Sequence, residues 1–148
     1  MKTFECQVCG HLAFGEAPAN CPICGAAREK YNEVKDAVKN PVDPANLTES
    51  ENKHIPQVNI SGSKVEVKVG GIPHPMLPEH HIMFIDYYVN GRGIKRSRLG
   101  PTQWQWQADT PLKAAAQATE ELNLKPGDEL KVLEYCNLHG RWVKTVKI

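Results

Sequence analysis

Ile82-Met-Phe-Ile-Asp-Tyr-Tyr-Val89, closed by Asn90-Gly91, is the stretch on which the fold of this chain turns. A β-branched and aromatic run of that length, ending in a hairpin-turn dipeptide, predicts a strand. Upstream, Val65, Val67 and Val69 alternate with Lys64, Glu66 and Lys68, the two-residue period of a strand with one buried face. Downstream, Leu130, Val132, Leu133 and Tyr135 predict a further strand, and Trp142 to Ile148 a last one. A helix is expected between the two groups. Thr110 is a good N-cap, Pro111 suits the first helical position, and Leu112 to Leu122 is rich in Ala, Gln and Glu. Many short strands with frequent turns over roughly a hundred residues point to an antiparallel β-sandwich, with that helix inserted between two late strands.

The 148 residues are 41% hydrophobic and 24% charged, a globular mixture that excludes disordered, collagenous and coiled-coil chains. Eighteen basic residues against seventeen acidic ones lack the basic excess of a dedicated nucleic-acid binder. No apolar run has the ~18–20 residues that cross a bilayer. The opening Met-Lys-Thr-Phe-Glu-Cys holds no apolar stretch of signal-peptide length, so a cytoplasmic protein is expected. Charge divides unevenly: residues 1–50 hold five basic and seven acidic side chains, residues 51–148 thirteen and ten. Between the halves, Glu33 to Ser50 is polar and interrupted by Pro41 and Pro44, and reads as a linker.

Cysteine is concentrated at one end. Cys6-Gln-Val-Cys9-Gly10 and Cys21-Pro-Ile-Cys24-Gly25 are two C-x-x-C-G knuckles, and a fifth cysteine, Cys136, stands alone. Two such hairpins can place four thiolates tetrahedrally around one metal, the glycines supplying the positive φ of each turn. Two disulfides are the alternative, disfavoured where thiols stay reduced. About thirty residues cannot fold on so small a core, here Phe4, Phe14 and Tyr31, without a metal or cross-link. Thiolate tetrahedra hold iron or zinc. Together with Gly15-Glu-Ala-Pro18, the cysteine pattern resembles the rubredoxin-like domain of rubrerythrins. That resemblance implies a one-electron iron centre, with zinc as the alternative. His11 stands where such domains often have an aromatic residue, and is expected at the surface.

Five of the six histidines follow residue 50: His54, His74, His80, His81 and His139. Cys136-Asn-Leu-His139 after a predicted strand puts a soft and a borderline ligand within one turn. Pro73 and Pro75 hold Ile72 and His74 extended, which lessens the entropy lost when an imidazole is fixed on a metal. Spacing alone does not bring these clusters together.

Lys53-His54-Ile-Pro, His74-Pro-Met-x-x-x-His80-His-Ile and Cys136-Asn-Leu-His139-Gly-x-Trp142, in that order, resemble superoxide reductase, the catalytic part of desulfoferrodoxins. The resemblance implies an iron held by four equatorial imidazoles, His54, His74, His80 and His139, and an axial thiolate, Cys136. It further implies one-electron reduction of superoxide to hydrogen peroxide, with electrons from reduced rubredoxin or a similar donor, and it allows a homo-oligomer. Lys53, beside His54, is the candidate for drawing in superoxide and holding the protonating water. Asn137 and the backbone amides after Cys136 are candidates for tuning the sulfur. Family members commonly place Glu before the lysine; here Asn52 stands there and the nearest carboxylate is Glu51, so none is expected to close the sixth position. His81 is expected to be structural. Arg92-Gly-Ile-Lys95-Arg96-Ser-Arg98 reads as a solvated hairpin, or else as a dock for an acidic electron donor.

The expectation is therefore a mainly β protein: residues 1–34 a rubredoxin-like iron domain, 35–50 a linker, 51–148 an immunoglobulin-like β-sandwich with superoxide reductase activity. Two other functions fit the residues alone. One is an electron carrier without catalysis, the other a zinc-ribbon binding module.

Overall fold

The computed structural model describes residues 1–148. Three antiparallel strands, β1 (Thr3–Cys6), β2 (Leu12–Phe14) and β3 (Tyr31–Val34), form the N-terminal sheet in the order β2-β1-β3. The next strand, β4 (Val38–Lys39), lies within the predicted linker and pairs in parallel with the last strand, β11 (Gly140–Lys147). A single short α-helix, α1 (Glu49–His54), leads into β5 (Pro56–Ser61) and β6 (Lys64–Val69). The predicted central strand is β7 (Ile82–Val89), followed by β8 (Arg92–Arg98), β9 (Gln117–Glu121) and β10 (Glu129–Cys136). The sandwich packs a five-stranded sheet, β4-β11-β10-β7-β8, on a three-stranded one, β5-β6-β9.

The alternation in β6 does what the pattern requires. Val65, Val67 and Val69 are buried and meet Ile82, Ile85 and Tyr87 of β7 and Leu130, Val132 and Cys136 of β10 between the sheets. Each such valine contributes ~1.5–3 kcal/mol by leaving water. Strand β7 differs: seven of its eight residues are buried, so neither face is wet. Its second face is covered by the N-terminal sheet. Leu12 packs on Tyr88 and Leu133, with Phe14, Val34, Val38 and Val143 around them. Phe14, assigned from the sequence to the knuckle's own core, thus belongs to the seam between the two parts.

Two guanidinium groups fasten that seam. Arg96 lies directly across from Asp86 and pairs with it twice, at 2.6 and 2.9 Å, while its third nitrogen donates to the Cys9 carbonyl at 2.8 Å. Arg141 donates to Glu5 at 2.6 Å and to the Gly10 carbonyl at 3.0 Å. Arg96 and Arg141 are both nearly inaccessible to water. Of the four cations in the Arg92–Arg98 hairpin, Arg92 and Arg98 are exposed and the other two are engaged. Arg96 is buried in the seam, and Lys95 pairs with Glu120 at 2.9 Å.

The helix expected over Leu112–Leu122 is not there; that segment carries β9. Thr110 caps nothing, its hydroxyl donating instead to the Gln107 carbonyl at 2.8 Å. The free edge of β6 takes up Gln117–Glu121 residue for residue, Ala118 packs on the core, and Glu120 accepts from Ser97 at 2.6 Å. Pairing with an open sheet edge outweighs the modest helix preference of Ala and Gln. The one helix starts at Thr48 instead. Its hydroxyl accepts from Glu51 N at 3.1 Å and Glu51 Oε1 accepts from Thr48 N at 2.9 Å, a complete capping box.

Removing one partner of a buried pair strands the other charge. Arg96→Met is expected to cost about 3–5 kcal/mol in denaturant unfolding. Adding Asp86→Leu should restore all but the ~1–3 kcal/mol due to the unsatisfied Cys9 carbonyl.

Candidate metal centres

The four N-terminal sulfurs converge. Cys6, Cys9, Cys21 and Cys24 place their Sγ atoms within 4.8 Å of one another, with Cys6–Cys24 at 3.7 Å and Cys9–Cys21 at 3.6 Å. A tetrahedron with bonds of about 2.3 Å has edges of about 3.8 Å. The cysteines are free, which sets the disulfide alternative aside. Gly10 and Gly25, each with φ +81°, turn the chain immediately after each cysteine pair, in a region that costs a side chain energy. His11 is not at the surface. It is 2% exposed, stacked on Tyr88 at 5.3 Å and hydrogen-bonded through Nδ1 to Tyr31 at 3.1 Å.

The second cluster draws on three parts of the sandwich. His54 comes from the end of α1, His74 and His80 from the loop between β6 and β7, and Cys136 and His139 from the turn joining β10 to β11. Their donor atoms also lie within 4.8 Å of one another. The four rings close a square. His54–His74 centroids are 4.7 Å apart, His74–His80 4.7 Å, His80–His139 5.0 Å and His139–His54 4.9 Å, each ring at 70–80° to the next.

Hydrogen bonds fix the rings. His54 Nδ1 meets the Ser50 carbonyl at 2.6 Å and His74 Nδ1 the Pro75 carbonyl at 2.7 Å, leaving their Nε2 atoms 3.2 Å apart at the centre. A carbonyl on Nδ1 selects the tautomer whose Nε2 carries a free lone pair. His80 Nε2 is buried with no hydrogen-bond partner. His139 turns the other way: its Nδ1 is 3.7 Å from Cys136 Sγ, because two intervening residues leave room only for the nearer nitrogen. Trp142 stacks on His54 at 5.4 Å and donates to the His139 carbonyl at 3.3 Å. An orphaned imidazole nitrogen facing three others and a thiol is a donor set that fits a transition-metal ion.

Electrostatics agree with that use. Burial pushes His54, His74 and His80 below the ordinary imidazole range, His74 down to about 4, so the lone pairs stay free near neutrality. Burial raises the Cys136 thiol, and the backbone amides of Leu138 and His139 oppose that rise. These amides, and not the Asn137 side chain, attend the sulfur. Asn137 instead accepts from His81 N at 2.9 Å and donates to the Glu79 carbonyl at 3.1 Å, tying the His80 loop to the Cys136 turn. Glu134, two residues before Cys136 and wholly buried, is held well above the carboxylate range by burial. His81 is structural. Both its ring nitrogens meet carbonyls, of Leu77 at 3.0 Å and Pro101 at 2.9 Å.

The two sides of the imidazole square differ. One opens into a cleft of about 430 Å³ walled by His54, His74, His80 and His139 together with Glu49, Ser50, Lys53 and Pro75. Cys136 lines an adjoining cleft with Tyr135, Leu138, Gly140 and Trp142, and Ser50 and His139 border both. Lys53 is about one-third exposed, and its ammonium lies 3.2 Å from Glu49 Oε1. The sequence pointed to Glu51 as the nearest carboxylate, yet both Glu51 oxygens are engaged, by Thr48 N and by Val42 N at 3.0 Å. Helical spacing brings Glu49 to the cleft instead. The signal was the Thr48-x-x-Glu51 capping box, which makes residues 49 and 53 neighbours one turn apart.

A family model described as desulfoferrodoxin matches residues 46–145, and one described as the rubredoxin-like domain of rubrerythrin matches residues 4–32. The chain belongs to the desulfoferrodoxin family. A desulfoferrodoxin of Syntrophotalea carbinolica is 32% identical over 96% of this chain and 94% of its own length. A superoxide reductase of Pyrococcus horikoshii is 36% identical over 65% of this chain and 87% of its own. The crystal structure of the superoxide reductase from Treponema pallidum superposes with a TM-score of 0.57 and 28% identity, covering 97% of this chain and 98% of that one. The family match thus spans the segments that supply all five donors of the second centre.

An imidazole whose folded pKa is depressed adds stability above its unfolded value and loses it as pH falls towards the folded one. The metal-free chain is therefore expected to weaken progressively from about pH 6.5 towards about pH 4, the value to which His74 is lowered. Denaturant midpoints across that range measure it, and His74→Gln should flatten the slope.

Proposed function

We propose that this chain is a superoxide reductase, converting superoxide to hydrogen peroxide at the centre formed by His54, His74, His80, His139 and Cys136. The observation that carries the reading is the closed square of four imidazoles with an open cleft on one side and a thiol outside that cleft. Iron bound there would supply the one-electron change of valence that superoxide reduction needs and zinc lacks. The chain's residues do the rest. Burial keeps His54, His74 and His80 uncharged near neutrality, so their lone pairs are free to hold the ion, and Cys136 supplies electron density that its two backbone amides temper.

Lys53 is the residue of the open cleft that recruits the substrate. Its ammonium is the positive charge among the cleft's walls, and its exposed pairing with Glu49 is weak enough to yield to an arriving anion. From there it can hydrogen-bond the anion and hold the water that supplies a proton. The reaction takes one electron and two protons per superoxide. The N-terminal knuckle holds a second iron in this reading, supported by the sulfur spacing and by the family match over residues 4–32. Reduced rubredoxin or a similar one-electron protein is the donor. The domain division proposed is 1–34, 35–50 and 51–148.

Lys53→Ala is expected to slow the second-order reaction with superoxide several-fold and to flatten its dependence on ionic strength, because a local positive field raises on-rates. Pulse radiolysis at two salt concentrations measures both. Cys136→Ser should abolish peroxide formation while the red absorption of an iron-loaded knuckle persists. A colourless, zinc-only protein would overturn the assignment.

A further inference from the structure

The seam between the knuckle and the sandwich is more than a packing surface, because the residues in it run from the four-cysteine cluster to the five-donor centre. Gly10 follows Cys9 of the four-cysteine cluster, and the Trp104 ring lies against it so closely that a Cβ there would come within 2.7 Å of three ring carbons. Trp104 in turn meets the Tyr135 ring edge-on at 5.4 Å, and Tyr135 is the residue before Cys136. Two further contacts end on the same tyrosine. Arg141 donates to the Gly10 carbonyl at 3.0 Å and holds its guanidinium 4.1 Å above the Tyr135 ring. Arg96 donates to the Cys9 carbonyl at 2.8 Å and lies 3.5 Å over Phe84, whose ring meets Tyr135 at 5.6 Å.

We propose that Trp104 and Tyr135 form an internal electron conduit from the knuckle's Cys9–Gly10 turn to Cys136, so that this chain can reduce its own catalytic centre. The proposal rests on the reading that both centres hold iron. Electron tunnelling weakens steeply with each through-space gap, and covalent or hydrogen-bonded links weaken it least. Here the gaps are single van der Waals contacts between polarisable rings, and three separate contacts converge on one residue covalently joined to a ligand. Trp104 is 8% exposed, Phe84 1% and Arg141 3%, while Tyr135 is partly exposed where it lines the Cys136 cleft. The buried ion pairs hold the knuckle in one orientation, so the gaps stay fixed.

The step balances simply. One electron leaves the reduced knuckle, which is oxidised by one unit, and reaches the oxidised five-donor centre, which is reduced by one unit. No bond forms or breaks, and neither ring need be oxidised itself. A one-electron protein donor refills the knuckle. Trp104, Tyr135 and Phe84 are positioning residues in this scheme, since none touches substrate.

The test uses the full chain with iron at both sites, reduced and then mixed with less than one equivalent of superoxide, while the red absorption of the oxidised knuckle is followed. That colour should appear after the catalytic centre has been oxidised, with a first-order rate independent of protein concentration. Trp104→Leu and Tyr135→Leu should each slow it roughly tenfold or more, with the knuckle's spectrum unchanged, while Tyr135→Phe, which keeps the ring, should restore the rate. An iron-containing knuckle that oxidises at the same rate in both leucine variants, or at a rate proportional to protein concentration, overturns the conduit alone. A colourless zinc knuckle overturns the two-iron reading and the conduit with it.

Discussion

Strand β7 has no face left for water, and the rest of the molecule follows from that constraint. A strand buried on one side needs a single opposing sheet. Ile82–Val89 needs two layers, and the N-terminal knuckle is the second. The knuckle has little core of its own, so the requirement is mutual. Covering the outer face of the five-stranded sheet also buries Asp86, whose charge is offset by Arg96, and that guanidinium satisfies a knuckle carbonyl at the same time. Buried ion pairs add little net stability but fix register and orientation when every donor is used. What could have been two modules on a loose tether is a single packed body.

The same layering sets up the metal chemistry. Cys136 ends β10 on the face turned towards the core between the sheets, His139 sits in the tight turn to β11, and Trp142 at the start of β11 braces both His139 and His54. His54 is delivered by a helix of six residues too short to be stable alone, held by its capping box and by Val42 N on Glu51. Two of the four rings, His54 and His74, are thus held by hydrogen bonds to backbone carbonyls, and His54 also by stacking on Trp142. Such preorganisation limits how far the ligands can relax when the valence of a metal changes. The open side of the square lies on the α1 side, where Lys53 and Glu49 are one helical turn apart, and the thiol lies outside that cleft.

Much of this was legible from residue order. The β7 run with its Asn90-Gly91 turn, the valine alternation of β6, the paired C-x-x-C-G knuckles and the five dispersed histidine and cysteine ligands all lie where the sequence put them. Each rests on a local rule: a hairpin turn, a two-residue period, a ligand spacing. The misses are equally specific. Gln117–Glu121 has helix-favouring composition but pairs with β6, because an unpaired sheet edge is a stronger demand than propensity. His11 is buried because its neighbour Tyr88 comes from a strand 76 positions beyond Leu12. Arg96 looked solvated because its partners, Asp86 and the Cys9 carbonyl, are not adjacent to it in the chain.

The sequence by itself determined which atoms can bind metal and that most of the chain is β-structure, since both depend on side-chain chemistry and short-range periodicity. Only the tertiary structure decided that the imidazoles close a square, that Glu49 rather than Glu51 faces the open cleft, and that Trp104 and Tyr135 lie between the two centres. Those outcomes depend on which distant segments share a surface. That is fixed by burying both faces of β7 and by satisfying the charges buried with them, and no local rule of sequence contains either.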